Sequence, residues 1–292
     1  MKGEDNMMKQ QTFRKFVTRS LSLGTTVLFL ATNAYAGALF YDNFESGNFS
    51  HKESEFGWNG TNAGSGDALS VSTDIAHSGT HSVKFTFGGG PAGADAWSEL
   101  RYILGKNMTE VYVQWYQYFP NGTEGLGPRW YHRSDGPSNN KLFKLWADNY
   151  SGYTVMTGIS SEPLAGGDST FYTDYGTNQT GGNGNFGKAT DRVGLTNKLR
   201  GRWVKFQYHV KTASSANNDG VLQMWVDDVL TVNNTTLNLY PLDGVGNYFR
   251  NGYMMGWSNS GFAQTTNTYV DDVTISDAFI SGDPLKAPFI LK

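Results

Sequence analysis

A period of two in the apolar residues recurs along most of this chain, and it limits the fold more than any other feature. The runs 82–87 (SVKFTF), 98–103 (SELRYI), 110–119 (EVYVQWYQYF) and 203–211 (WVKFQYHVK) show it, and Gly, Pro and Asn separate them. Successive side chains of a strand point to opposite faces, so each run predicts a strand with one buried face. The sequence shows no long amphipathic helix and no repeat of fixed period.

Four further strands are predicted by the same pattern, at 141–146, 221–227, 252–257 and 269–275. The second of them follows an Asn-Asp-Gly turn, which predicts a hairpin with 203–211. We interpret residues 160–200, which are rich in Gly, Asn and Thr, as a long loop over one face of the domain. Many short strands in one continuous pattern predict an all-β fold, a two-sheet antiparallel β-sandwich of jelly-roll type, with a closed barrel as the alternative.

The first 36 residues have the layout of a secretory signal peptide. Basic residues precede the apolar run 21–31 (LSLGTTVLFLA), and Ala34-Tyr35-Ala36 offers a small-x-small cleavage site. The apolar run is shorter than the roughly 20 residues that a membrane-spanning helix needs, which disfavours an anchor. We therefore predict a signal peptide over 1–36, a single β-domain over 37–292, and a secreted or periplasmic protein.

The composition excludes some classes of function. The formal net charge of −3 disfavours nucleic acid as the partner, because surfaces that bind nucleic acid are usually broadly basic. The chain has no Cys, so disulfides cannot stabilise it. Its 16 Tyr and 8 Trp are suited to stacking on sugars, because these side chains combine an apolar face with a polar tip, although β-propensity alone explains many of them.

Glu99 and Arg101 lie two positions apart in one predicted strand, so they share a face. A guanidinium held by a neighbouring carboxylate binds a further carboxylate in a fixed two-pronged geometry, which favours an acidic sugar as ligand. The alternative is a purely structural ion pair. No Glu-x-Asp-x-x-Glu strand is present, so hydrolysis by paired carboxylates is disfavoured.

Several short motifs carry a resemblance to a known group. They are DNFESG at 42–47, HSGTHSV at 77–83, SELR at 98–101, DGVLQMWVD at 219–227 and YVDDV at 269–273. Their order resembles the concanavalin A-like jelly-roll superfamily, and within it the polysaccharide lyases of the heparin, glucuronan and alginate lyase type. The resemblance implies a site on the concave sheet, where an Arg holds a uronate and a Gln or Asn, a His and a Tyr complete the chemistry. Arg101 matches that Arg, whereas the Gln-x-His strand of such lyases is replaced here by KLFKLW at 141–146.

β-Elimination on a uronate requires a group that neutralises the carboxylate, a base that takes the C5 proton and an acid that protonates the leaving oxygen. We predict that Arg101 neutralises the carboxylate, with Gln114 or Lys144 assisting, and that His209 and Tyr116 transfer the protons. An isolated His more often has a structural than a catalytic role, so a structural role remains open for His209.

Alternation also predicts which side chains line a sugar-binding groove. Tyr112, Gln114, Tyr116 and Tyr118 share one face of their strand, and Lys205 and His209 share the outward face of another. On 141–146, alternation sets Lys141, Phe143 and Leu145 against Leu142, Lys144 and Trp146. We predict that the substrate-binding residues are Glu99, Tyr112, Tyr118, Trp146 and Lys205. The alternatives are a cross-strand Tyr ladder and plain solvated charges.

A structural calcium site is predicted from Asp42 and Glu45 at the start of the domain and Asp271 in its last strand. The first and last strands of a jelly roll often pair, and hard oxygen ligands suit Ca²⁺. Turn-capping carboxylates are the alternative. No organic cofactor is predicted. The predicted function is therefore a polysaccharide lyase acting on an acidic polysaccharide, with a non-catalytic carbohydrate-binding module and a structural exported domain as alternatives.

Overall fold

The computed structural model describes residues 38–130, 139–147, 150, 154–163, 169–177, 187–195, 199–215 and 217–281. Within these residues every regular element is a β-strand, and none is a helix that could cross a membrane. The seventeen strands of this part of the chain are β1 (Ala38–Asp42), β2 (Lys52–Glu53), β3 (Phe56–Ala63), β4 (Ala68–Ser72), β5 (Ser82–Phe87), β6 (Ala96–Met108), β7 (Glu110–Tyr118), β8 (Asn139–Trp146), β9 (Val155–Pro163), β10 (Ser169–Thr177), β11 (Gly187–Leu195), β12 (Trp203–Lys211), β13 (Gly220–Val226), β14 (Val229–Leu237), β15 (Phe249–Met254), β16 (Trp257–Asn259) and β17 (Thr266–Ser276).

The strands form two antiparallel sheets. The eight-stranded sheet has the order β14-β13-β12-β7-β17-β5-β4, and β1 pairs with β17. The nine-stranded sheet has the order β11-β10-β9-β8-β15-β6-β3-β2, and β16 pairs with both β6 and β8. Neighbours in space are often distant in the chain, as in a jelly roll. The predicted all-β sandwich is confirmed.

The inner faces of the two sheets bury one apolar core. Trp115 of β7 stacks on Phe206 of the same sheet, with ring centroids 5.4 Å apart, and on Phe143 of the opposite sheet at 5.1 Å. Leu100 and Tyr102 of β6 are likewise fully buried. These residues alternate with outward-facing neighbours, as the period of two predicts, and their burial supplies the main driving force for packing the sheets together. Consequently the remaining side chains of each strand lie on the outer face of its own sheet.

Two local predictions are confirmed and one is wrong. β12 and β13 form the predicted hairpin, and the first strand pairs with the last, with Asp42 opposite Val273. Residues 160–200, however, are not one loop, because β10 and β11 lie within this range and the end of β9 does as well. These strands extend the edge of the nine-stranded sheet. Their Gly- and Asn-rich composition has a low strand propensity, and pairing with β8 and its neighbours outweighs it.

Candidate functional site

The outer face of the nine-stranded sheet carries four of the residues predicted from the sequence. Glu99 and Arg101 lie on β6, and Lys144 and Trp146 lie on β8, with β15 between the two strands. The Arg101 side chain is 31% exposed, so its guanidinium is not enclosed between the sheets. This face therefore retains the carboxylate-binding group of the predicted site.

The other predicted catalytic and binding residues lie on the outer face of the eight-stranded sheet. They are Tyr112, Gln114, Tyr116 and Tyr118 of β7 and Lys205 and His209 of β12. The two outer faces of a sandwich look in opposite directions, since the inner faces meet in the core. One substrate cannot contact both sets, so the structure does not bring Gln114 and His209 onto the face that carries Arg101 and Lys144. Alternation fixed the face of each strand correctly, but it could not say to which sheet a strand belongs.

On the outer face of the eight-stranded sheet, His209 contacts its neighbouring side chains. Both ring nitrogens of His209 face acceptors, with Nδ1 2.8 Å from Gln223 Oε1 and Nε2 2.8 Å from Glu110 Oε1. The same ring lies flat on Tyr112, with centroids 3.9 Å apart. Because both ring nitrogens and one ring face of His209 contact neighbouring side chains, this arrangement supports a structural role.

The remaining side chains of that face are also held within the protein. Tyr116 stacks on His77 at 3.5 Å. The Tyr118 hydroxyl donates to Glu124 Oε1 at 3.2 Å, and Lys205 pairs with an Asp228 oxygen. Gln114 is fully buried, with no hydrogen-bond partner for its amide in the described part of the chain. The predicted Tyr stripe is therefore a packed layer.

A row of aligned residues crosses the outer face of the nine-stranded sheet. Arg101 is paired with Tyr253, Tyr253 with Lys144, Lys144 with Gly158, and Gly158 with Asp174. Neighbouring strands are about 4.8 Å apart, which puts Arg101 about 10 Å from Lys144 along the row. The row thus combines a guanidinium, a phenol and an ammonium–carboxylate pair on one surface.

Lys144 and Asp174 form a buried ion pair that spans β9. The ammonium contacts both Asp174 carboxylate oxygens, and it donates to Ser160 Oγ at 3.0 Å. Gly158 stands between the two partners, and a Cβ there would lie 2.6 Å from Lys144 Cδ and 2.1 Å from the Phe143 carbonyl oxygen. Because Gly158 has no side chain, the Lys144 side chain can pass over this position and reach Asp174.

Arg101 is held from two sides. Its Nε and Nη2 atoms donate to Glu99 Oε2 at 2.9 and 2.8 Å, and Asn62 donates to the same oxygen at 2.9 Å. The Tyr150 ring lies against the guanidinium, 4.7 Å from centroid to Cζ. These contacts fix the plane of the guanidinium and leave Nη1 available to an incoming acceptor. The predicted Glu99–Arg101 pair is thus present.

Tyr253 occupies the centre of the row, and sequence reasoning missed it. Its hydroxyl has no hydrogen-bond partner in the described residues, and its ring packs against Trp146 with centroids 4.8 Å apart. A Cβ at Gly256 would lie 2.2 Å from the Tyr253 ring, so the absence of a side chain at this position makes room for the ring. Ser160 and Asp174 were missed as well, because their strands were interpreted as loop. The signal that could have found Tyr253 was its inclusion in the predicted strand 252–257.

Burial shifts the proton affinities of two groups in the row. Loss of water around Lys144 lowers its pKa below the ordinary value of 10.5, although the Asp174 carboxylate opposes this effect. Burial, together with the charges of Glu99 and Asp174, raises the pKa of Tyr253 well above its ordinary value. A lysine that can lose its proton and a phenol that keeps its proton are a base and an acid.

The three carboxylates predicted to bind calcium accept hydrogen bonds from the protein. Asp42 accepts from Trp58 Nε1 at 2.6 Å, Glu45 from the Thr80 amide at 2.8 Å, and Asp271 from the His77 amide at 2.8 Å. Among the residues that the structure describes, no group of three or more acidic or His side chains is arranged to hold a metal ion. This geometry fits the capping alternative, and the calcium site stays a prediction.

Comparisons with known proteins agree with this architecture. The endo-β-1,4-glucuronan lyase of the fungus Trichoderma reesei shares 16% identity, with a TM-score of 0.57 over 86% of this chain and 100% of that chain. A double mutant of the alginate lyase Aly36B, solved in complex with alginate tetrasaccharide, shares 11% identity, with a TM-score of 0.50 over 86% of this chain and 96% of that one. At these identities the likeness shows the fold alone.

Sequence comparison identifies the family. No curated protein sequence matches the chain. The family profile described as polysaccharide lyase matches residues 44–274, which is most of the chain and includes the whole row from Arg101 to Tyr253. The resemblance inferred from the short motifs is confirmed, and the chain belongs to the polysaccharide lyase family.

Proposed function

We propose that this protein cleaves a uronate-containing polysaccharide by β-elimination on the outer face of the nine-stranded sheet. The observation that carries the proposal is the row in which Arg101, Tyr253 and Lys144 stand side by side. Family membership supports lyase chemistry. Glucuronan and alginate, the polymers named for the two similar lyases, are both composed of uronic acids, which supports an acidic substrate.

Each group in the row has a role in the reaction. Arg101 binds the uronate carboxylate and neutralises its negative charge, which makes the C5 proton more acidic. Neutral Lys144 takes that proton, and the C5–H electrons form the C4=C5 double bond as the C4–O bond breaks. Tyr253 gives its proton to the departing glycosidic oxygen. The tyrosinate and the ammonium then exchange a proton directly or through water, which restores both groups.

Asp174 and Ser160 act as positioning residues for the base. Both accept a hydrogen bond from the Lys144 ammonium, and the Ser160 hydroxyl donates to an Asp174 carboxylate oxygen. They hold the amine in one place after it gains the proton, and the Asp174 charge compensates the new ammonium in a buried site. Tyr116 and His209, which the sequence suggested for proton transfer, lie on the opposite side of the sandwich.

Export is part of the proposal. The signal peptide predicted over 1–36 would deliver residues 37–292 outside the cytoplasm, where polysaccharides of this kind are found. Expression of the full chain in a bacterial host should release a protein that begins at Gly37, which amino-terminal sequencing of the periplasmic or medium fraction checks. Retention of the intact N-terminus would contradict the export step and leave the chemistry unaffected.

The activity is tested with residues 37–292 and three polymers, namely glucuronan, alginate and a heparin-like chain. Ultraviolet absorbance from the new C=C bond is followed, and reducing ends are counted in parallel. We expect absorbance to rise on at least one uronate polymer and to fall to background in the Arg101→Ala and Tyr253→Phe variants. Lys211→Gln, which changes an exposed lysine of the eight-stranded sheet, is the matched control and should behave as wild type.

Other outcomes would replace the proposal with a different function. New reducing ends without absorbance would indicate hydrolysis. Retained binding of a glycan without cleavage would favour the carbohydrate-binding module, for which the aromatic side chains Trp146, Tyr253 and Trp257 on this face would then be the contact surface. Neither binding nor cleavage would favour a structural role.

A further inference from the structure

Lys141 is a half-buried cation on the same outer face. Its ammonium donates to Asn139 Oδ1 at 2.7 Å and also contacts Asn259 Oδ1. No carboxylate pairs with it in the described part of the chain, in contrast to Lys144 and Arg101. An ammonium carries three N–H donors, so two neutral amide oxygens leave one donor without a partner and the charge without a paired carboxylate.

A β-bulge brings Lys141 to this face. Simple alternation would set Lys141 beside Phe143, pointing into the core. The register of β8 against β9 shifts between these two residues, and both Leu142 and Phe143 are fully buried in the core. Bulges re-aim a side chain in this way, and they are over-represented beside active sites. Lys141 thus stands opposite Ser160, on the side where Lys144 and Asp174 meet.

An aromatic platform lies beside Lys141. Trp257 of β16 is paired with Trp97 of β6, and the two indole rings stack with centroids 4.4 Å apart and an interplanar angle of 3°. Asp95 accepts from Trp257 Nε1 at 2.8 Å, which fixes the outer ring. Trp97 packs on its other side over Gly64, where a Cβ would approach the ring to 3.0 Å. Both tryptophans are half-buried. Among the described contacts, Trp97 is enclosed between Gly64 and Trp257, whereas Trp97 is the single ring partner of Trp257.

We propose that Lys141 and Trp257 form a second acidic-sugar subsite, in which Trp257 stacks on a sugar ring and Lys141 binds its carboxylate. This subsite rests on the proposed function, since it would hold another unit of the polymer whose reacting uronate lies at Arg101. Asn139 and Asn259 keep the ammonium in place and provide amide groups for the sugar hydroxyls. β16 pairs with β8 at Asn139, which puts both asparagines on adjacent strands.

The charge balance of the face supports an anionic ligand. Burial and the nearby Lys144 charge lower the pKa of Lys141 to about 8, since Asp174 and Asp95 compensate only in part. A bound carboxylate would supply the missing negative charge and favour the ammonium form. Arg101 and Lys144 on this face each have a resident carboxylate, whereas Lys141 has no such partner among the residues that the structure describes.

The position of the subsite defines the substrate further. Lys141 precedes Lys144 by three residues of about 3.3 Å each along β8, and Arg101 lies two strands of about 4.8 Å away, so the two carboxylate-binding groups are about 14 Å apart. A ligand that uses both must carry acid groups on more than one sugar. The inferred substrate is thus a polyuronate stretch, not an isolated uronate within a neutral polymer.

The test measures binding of oligoglucuronates, from the disaccharide to the hexasaccharide, by calorimetry. The Tyr253→Phe variant serves as the background, because it removes only a hydroxyl without a described partner and prevents turnover. Lys141→Gln is compared with the matched control Lys211→Gln, and Trp257→Leu is the second subsite variant. Thermal unfolding of each variant checks the fold.

We expect Lys141→Gln to weaken the longer oligomers about tenfold or more, the effect of losing a hydrogen bond from a charged group, and to leave the disaccharide unchanged. Trp257→Leu should weaken the binding of the same oligomers. For oligomers whose carboxyl groups have been reduced, the affinity should no longer depend on Lys141. Equal affinity of Lys141→Gln and the control at every length would overturn the subsite while the proposed lyase activity could stand. The same dependence for a sulfated neutral oligosaccharide would overturn the assignment to carboxylates. Absence of both binding and cleavage in wild type would instead refute the proposed function.

Discussion

The Lys144–Asp174 pair allows one prediction to be worked through from the structure. Both side chains are almost fully buried, and the ammonium contacts both carboxylate oxygens. Asp174→Asn keeps the size of the side chain and removes its charge. An opposite charge at such close range shifts a pKa by about 1–3 units, so the variant should lower the pKa of Lys144 by that amount. More of the amine is then neutral at a given pH.

The assay is the pH dependence of kcat/KM for elimination on a polyuronate. In wild type the rate should rise with pH toward the lowered pKa of Lys144, and it should show no decline below about pH 10, because the pKa of Tyr253 is raised well above that value. Asp174→Asn should move the rising limb to lower pH by about 1–3 units. Asp277→Asn, an exposed carboxylate at the end of β17, is the control and should leave the limb unchanged.

The stability of the Asp174→Asn variant provides a second test. A lysine whose pKa is lower in the folded than in the unfolded state makes the free energy of unfolding rise with pH, from the folded pKa up to about 10.5. Breaking a buried pair while the remaining ion stays charged costs about 3–5 kcal/mol, so Asp174→Asn should be least stable at low pH and should recover as Lys144 becomes neutral. An unshifted rate profile in a folded variant would refute Lys144 as the base.

Three further predictions concern other parts of the molecule. Gly256→Ala should lower kcat more than it raises KM, because its Cβ would displace the Tyr253 ring; unchanged kcat would contradict the role of that ring as the acid. His209→Gln should retain elimination activity, since His209 lies on the opposite face, and a loss as large as that of Tyr253→Phe would return the site to the eight-stranded sheet. Asp271 has a pKa raised to about 8 by burial and by the Asp272 charge, so its contribution should make stability fall as pH rises from about 4 to 8, and urea unfolding of Asp271→Asn should lack that slope.

Local patterns were sufficient for much of the fold. Alternation located strands such as 82–87 and 203–211 with their bounds, and it identified which side chains of β7 and β12 face the core. It did so because a strand exposes its faces alternately regardless of its neighbours. The pattern failed at Lys141, where a bulge reverses the alternation, and over 160–200, where pairing made strands from a composition typical of loops.

The candidate site could be predicted only in part. Glu99 and Arg101 form their pair because two positions along one strand bring side chains together whatever the fold. Lys144 was found as well, but its partner Asp174 is 30 residues away in the chain and was assigned to a loop. Tyr253 lies more than 100 residues from Lys144 along the chain, and only the insertion of β15 between β6 and β8 makes it their neighbour.

The sequence by itself determined that this chain forms strands with one apolar face, that those faces must be buried against one another, and, where alternation is regular, which side chains remain outside. Each of these properties depends on residues close together in the chain. The tertiary structure decided which strands share a sheet, and it thereby separated Arg101 from His209 and joined it to Tyr253 and Lys144. The order of strands in a sheet depends on contacts between distant segments, and the same alternating pattern is compatible with many such orders.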